Sequence, residues 1–136
     1  VEYFPVTSDE GPNQFTKSNG SIDHYEHLED VPTDGDTTYL LSEDDGDVTA
    51  HRAVISGLDG REIIAAQVHT MSRLELESGD RLALRLGTEE SIMGDIDETE
   101  YTARGGDWES DDGVDPWTPE SLSETDIEIE HLAPEA

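Results

Sequence analysis

Carboxylates outnumber cationic side chains five to one in this sequence, 35 Asp and Glu against 7 Lys and Arg, for a formal net charge of −28 over 136 residues. A chain with that much charge of one sign repels itself as it becomes compact. At ordinary ionic strength the repulsion reaches across a Debye length of about 8–10 Å, and in molar salt that length falls to about 3 Å. Carboxylates also hold water under salting-out conditions that drive apolar surfaces together. Lys17 is the only lysine, and Arg52, Arg61, Arg73, Arg81, Arg85 and Arg104 are the other cations. The acids run through the whole chain. A disordered acidic tail would carry them as one block, and a DNA mimic would cluster them at phosphate-like spacing. The composition is that expected of a domain working in brine, from a halophilic source. Direct nucleic-acid binding is excluded, because no basic stripe is present to neutralise phosphates.

The length is that of one ordinary domain. Leu, Ile, Val and Phe make up about a fifth of the residues, close to the level below which highly charged chains stay disordered. Order is nevertheless expected, since the apolar residues fall in patterned runs with Pro and Gly between them. There are no cysteines, which removes disulfides and thiolate metal sites. No apolar run approaches the roughly 20 residues that span a bilayer, so no membrane insertion is expected. The opening Val1-Glu2-Tyr3-Phe4-Pro5 has no signal-peptide pattern; its lack of Met is expected from ordinary trimming or removal of a leader.

Residues 1–21 read as an irregular N-terminal arm anchored by Phe4 and Phe15, residues 22–132 as a β-sandwich domain, and residues 133–136 as a tail. Strands are expected over 22–28, 37–41, 48–55, 63–76, 81–86, 101–104 and 126–132. The clearest pattern is Arg81-Leu82-Ala83-Leu84-Arg85-Leu86, whose leucines face one way and arginines the other. Ser78-Gly79-Asp80 suggests a hairpin joining it to the 63–76 strand. Thr118 as N-cap and Pro119 at the first helical position start a short helical turn near the C-terminus. The expected fold class is mainly β, an antiparallel β-sandwich or jelly roll.

There is no Gly-rich phosphate loop, nucleophile elbow or His-Glu-x-x-His helix, and no enzyme activity is expected. Three acidic loops offer oxygen ligands to a hard cation such as Ca²⁺, Mg²⁺, Na⁺ or K⁺. Their candidate residues are Asp34 and Asp36, then Asp44, Asp45 and Asp47, then Asp111, Asp112 and Asp115. None has the EF-hand spacing, no cofactor is required, and loosely held Na⁺ or K⁺ is the default. His24 and His27 would face together on a helix but not on the strand expected there, which argues against a zinc pair. Trp108 and Trp117 could form a stacking platform for sugars, although Trp117 ahead of a helical turn also suits a core position.

Several stretches, taken in order, resemble a family of small virion proteins of tailed bacteriophages. His24-Tyr25-Glu26-His27-Leu28-Glu29-Asp30-Val31-Pro32-Thr33-Asp34-Gly35-Asp36-Thr37-Thr38-Tyr39 is similar to that family's Tyr…Asp-Glu-x-x-Pro-Asp-Asp-Asp-Thr-Thr-Tyr opening. The Leu58-Asp59-Gly60 turn, Ile64-Ala65-Ala66-Gln67-Val68, Arg73 and Leu84-Arg85-Leu86 follow in the family's order. Asp115-Pro116-Trp117-Thr118-Pro119-Glu120-Ser121-Leu122 resembles its ending, with a shortened spacer. The resemblance implies a jelly-roll-like, non-enzymatic particle protein in a capsid turret or decoration, a tail or a baseplate. With the acidity, it implies a tailed virus of haloarchaea, assembled in the host cytoplasm. The partners would be further copies of the chain and other virion proteins, and host surface glycans if the Trp108–Trp117 platform is real.

Overall fold

Alternating side chains in three central strands give this domain one sheet with two unlike faces. The computed structural model describes residues 4–28, 39–63, 65–72, 74, 79–87, 89–93, 102–108 and 117–134. Among them the strands are β1 (Val6–Asn13), β2 (Thr16–Lys17), β3 (Leu40–Leu41), β4 (Val48–Ala53), β5 (Ala66–Ser72), β6 (Arg81–Leu86), β7 (Glu89–Met93), β8 (Thr102–Trp108) and β9 (Ile127–Leu132). A short helix, α1 (Pro119–Ser123), precedes β9. The main sheet is antiparallel with order β1-β4-β9-β6-β7, and β2–β3 and β5–β8 form two separate antiparallel pairs. The domain is therefore mainly β, with one short helix near the C-terminus.

Register assigns the faces. Leu84 lies opposite Ile129 and Leu86 opposite Ile127, while Thr49 and His51 of β4 lie opposite Ile129 and Ile127. These residues therefore share one side of the sheet. Leu84, Leu86, Ile129, Val68 from β5 and Trp117 ahead of α1 form the core there. The reverse face is solvated, as antiparallel sheets permit. It carries Arg85 among Glu90, Glu128 and Glu130, and Arg52 beside Glu10 and Asp126. Ala50 and Ala83 are fully buried on that face. Their small side chains lie beneath the long charged ones, whose stems shield them.

The sequence reading holds for β6, for β9 with Ile127 and Ile129 turned inward, and for the helix start. Thr118 accepts from the Ser121 amide and Ser121 accepts from the Thr118 amide, a reciprocal cap with Pro119 inside it.

Other expectations are corrected. The N-terminal arm is not irregular, since Val6–Asn13 form the edge strand β1. Its turn-like Gly11-Pro12-Asn13 sits at a register shift between Glu10 and Asn13, where an edge strand tolerates a proline. Residues 22–28 form no strand. Tyr25–His27 make a 3₁₀ turn because Asp9 accepts the His24 and Tyr25 amides and Glu26 accepts the Asp23 amide. The Ser78-Gly79-Asp80 stretch does not join paired strands either. Both edges of β6 are taken by β7 and β9, and β5 pairs with β8 instead. That pairing runs straight through Gly105 and Gly106, where the sequence suggested an end.

Candidate metal centre

β9 places His131 on the same face as Ile127 and Ile129, at the end of the sheet and opposite Leu82. The 42–47 loop is strapped to it by two backbone bonds, from the Gly46 amide to the His131 carbonyl (2.7 Å) and from the His131 amide to the Asp47 carbonyl (2.9 Å). Gly46, at φ +91°, supplies the left-handed bend that closes this turn. Gly79, at φ +75°, does the same just before Asp80. Three chain segments thus converge. Nε2 of His131 lies 2.6 Å from Asp80 Oδ2 and 3.4 Å from Asp45 Oδ1, and one ligand atom from each residue lies within 4.8 Å of the others. The side chains of His131 and Asp80 are 12% and 19% exposed and that of Asp45 is 58% exposed, so the group opens to solvent through Asp45.

The other ring nitrogen of His131 meets a hydroxyl. Nδ1 lies 2.7 Å from Ser42 Oγ, which is also 3.0 Å from Asp47 Oδ2 and 3.2 Å from the Asp44 carbonyl. Ser42 has one proton, and two of these neighbours can only accept. The hydroxyl is in reach of both the acidic loop and the His131 ring, and it links the two. Ser42, His131 and Asp80 lie in a hydrogen-bonded line, with the Ser42 hydroxyl on one ring nitrogen and the Asp80 carboxylate on the other.

A second polar group lies at the opposite end of the same face. His51 and Thr49 are fully buried. His51 Nδ1 lies 2.9 Å from Asp9 Oδ1, and its Nε2 lies 2.7 Å from Thr49 Oγ1, which in turn is 3.1 Å from Asn13 Oδ1. Burial holds the His51 pKa below its ordinary value, against the opposing pull of the Asp9 carboxylate and with a smaller push from His24. His51 meets the Asp9 carboxylate through Nδ1 and the Thr49 hydroxyl through Nε2. With Thr49 sealed from solvent, this set holds β1 to β4 rather than meeting a substrate.

The sequence candidates separate. Of the acidic loop 44–47, only Asp45 joins the donor group, while Asp44 and Asp47 shape the turn and orient Ser42. Asp34, Asp36, Asp111, Asp112 and Asp115 lie outside the described residues. Trp117 is 3% exposed and packed into the core, although it also borders a shallow groove with Arg61, Glu62, Ile63, Thr118 and Pro119. Its ring is committed to packing, so it makes no open platform. Trp108 lies opposite Ala66 in β8, and its side chain lies outside the described set. His24 and His27 fall on the 3₁₀ turn, which removes the strand argument, yet neither is placed as a ligand pair. His27 donates from Nδ1 to the Asp23 carbonyl and accepts at Nε2 from the Asn19 amide, and His24 donates from Nε2 to the Phe15 carbonyl.

Asp80 and His131 escaped the sequence reading because 51 residues separate them and only the β6–β9 register brings them together. One signal was present: alternation from Ile127 and Ile129 carries His131 onto the inward face. Comparison with protein-family models, with curated proteins and with solved structures found no match.

Proposed function

We propose that this chain is a structural protein of a halophilic tailed-virus particle, a capsid turret or decoration or a tail or baseplate component. It assembles as a homo-oligomer on the virion and carries out no catalysis. The observation that carries the assembly reading is the difference between the two edges of the main sheet. β1 is guarded by two register shifts, by Pro12 with no amide proton, and by the 3₁₀ turn bonded to Asp9. β7 has five consecutive pairs with β6 and no register shift, and it carries Ile92 at 49% exposure. Among the described residues no further strand is hydrogen-bonded to β7. β8 runs close to β7 without pairing with it, and a regular edge free of bulge and proline is a template for strand addition. Antiparallel pairing of two copies centred on Ser91 sets Glu90 against Ile92 of the second copy, so acid does not face acid. The ordered resemblance supports the virion setting: Val68, Leu84, Leu86 and Trp117, which lie within its landmarks, are also core residues.

Sedimentation in molar KCl tests the assembly. The chain is expected to sediment as a defined oligomer, and Ile92→Asp, which sets acid against acid, to sediment as a folded monomer. A monomeric wild-type chain, or its absence from purified virions by mass spectrometry, overturns the proposal.

A further inference from the structure

We propose that Asn19 is an N-glycan acceptor, modified at its side-chain amide by an oligosaccharide transferase that uses a lipid-linked sugar donor. The inference is separate from the particle reading and requires only that the chain reach a membrane-bound transferase. The chain has two asparagines, Asn13 and Asn19, and Asn19-Gly20-Ser21 is its one Asn-x-Ser/Thr tripeptide. Glycine in the middle meets the requirement that this position not be proline. The two asparagines are used in opposite ways. Asn13 is built into the sheet: its Nδ2 donates to the Glu10 carbonyl at 2.9 Å, and its Oδ1 lies 3.1 Å from Thr49 Oγ1 and 3.2 Å from the Ala50 amide. Asn19, Gly20 and Ser21 are all exposed. Asn19 Oδ1 accepts from the Ser21 amide at 3.0 Å, which closes an Asx turn. Among the described residues neither Asn19 Nδ2 nor Ser21 Oγ has a hydrogen-bond partner. Those are the two groups the transfer needs, the amide nitrogen to be modified and the hydroxyl by which the acceptor is recognised.

The fold holds the tripeptide outward from behind. The Asn19 backbone amide donates to Nε2 of buried His27 at 3.1 Å, and the 3₁₀ turn that carries His27 is bonded to Asp9 of β1. A Cβ built on Gly20 would meet nothing within 4 Å, so the approach to the turn is open to a bulky, hydrated sugar. In the transfer a bond forms between Asn19 Nδ2 and the anomeric carbon of the first sugar. The bond from that carbon to the phosphate oxygen of the lipid donor breaks, and the lipid phosphate leaves with the electron pair. Nδ2 gives up one proton to a base of the transferase, and nothing is oxidised or reduced. β1 and β7 are opposite edges of the main sheet, and Asn19 is tied to the β1 side. The glycan would therefore cover the guarded edge and leave β7 open.

Intact and peptide mass spectrometry of the full chain purified from its native host tests the site. The peptide holding Asn19 is expected to carry the mass of one glycan, absent from the same chain made in bacteria that lack a transferase. Expressed in the native host, Asn19→Gln and Ser21→Ala should lose that mass, whereas Ser21→Thr, which keeps the hydroxyl, should retain it. Ser21→Ala leaves the backbone amide that closes the turn, so its loss reads the hydroxyl and not the fold, verified by circular dichroism in molar KCl. The proposal is overturned if the native chain carries no sugar at Asn19, if Asn19 has only been hydrolysed to aspartate, or if Ser21→Ala is glycosylated as the wild type is. None of these results bears on sedimentation, so the glycan and the assembly can fail separately.

Discussion

Replacing Asp9 by alanine removes one negative charge from a chain with a net charge of −28, and simple charge counting expects a gain in stability. The structure predicts a loss. Asp9 accepts from His51 Nδ1 at 2.9 Å, from the Tyr25 amide at 2.8 Å and from the His24 amide at 3.1 Å. His51 is fully buried, so its N–H would be left without a partner or water, at about 1–3 kcal/mol. Losing the acceptor at the start of the 3₁₀ turn adds about 0.5–2 kcal/mol, the scale of a lost helix cap. Relief of surface repulsion returns less than about 1 kcal/mol, and less still in molar salt. The net loss is about 2–4 kcal/mol, a large share of the roughly 5–15 kcal/mol that holds a domain folded. Urea unfolding at fixed molar KCl measures it, with Asp59→Asn as a control expected within about 0.5 kcal/mol of wild type. A loss below about 1 kcal/mol for Asp9→Ala, or equal losses in the two variants, would refute the idea that Asp9 anchors β1.

Three further outcomes are expected. His51, with its pKa lowered by burial, binds protons more readily when unfolded. Its contribution to stability is therefore complete above the unfolded value near 6.5 and is lost as pH falls from there through the folded pKa. Thermal melts across pH should show that loss in the wild type and a reduced slope in His51→Gln. Leu84→Ala empties a fully buried position in the strand between β9 and β7 and should cost about 2–5 kcal/mol in urea unfolding. Arg85→Ala leaves Glu90, Glu128 and Glu130 facing one another across three strands. It should destabilise by about 1–2 kcal/mol at low salt and less in molar KCl, and a loss unchanged by salt would argue for packing rather than charge.

What could be read in advance follows from the range of each signal. Alternation in 81–86 and 127–132 is local, and so is the Thr118–Pro119 start of α1, and all three elements form where expected. Pairing is not local. Ser78-Gly79-Asp80 has the chemistry of a hairpin turn, yet Leu82, Leu84 and Leu86 find their partners in β9, about 45 residues on, where Ile129 and Ile127 complete the same face (the Arg85–Glu130 contact spans 45). The 3₁₀ turn was missed because an acid 15 and 16 residues upstream, Asp9, stabilises it. The donor group was half visible, since Asp45 belongs to an obvious acidic loop, while Asp80 and His131 become its neighbours only through sheet register.

The polar band where β1 meets β4 gives the sheet a gradient of strength. β6 and β9 are joined across Leu84, Leu86, Ile127 and Ile129, so freeing their amides means dismantling the core. β1 is attached through Asp9, Asn13 and a bulged ladder, and contributes no residue to the buried apolar cluster. Local opening should therefore begin at that strand. In hydrogen–deuterium exchange its amides would trade with solvent first, those of β4 next, and those of the β6–β9 ladder only when the whole domain unfolds.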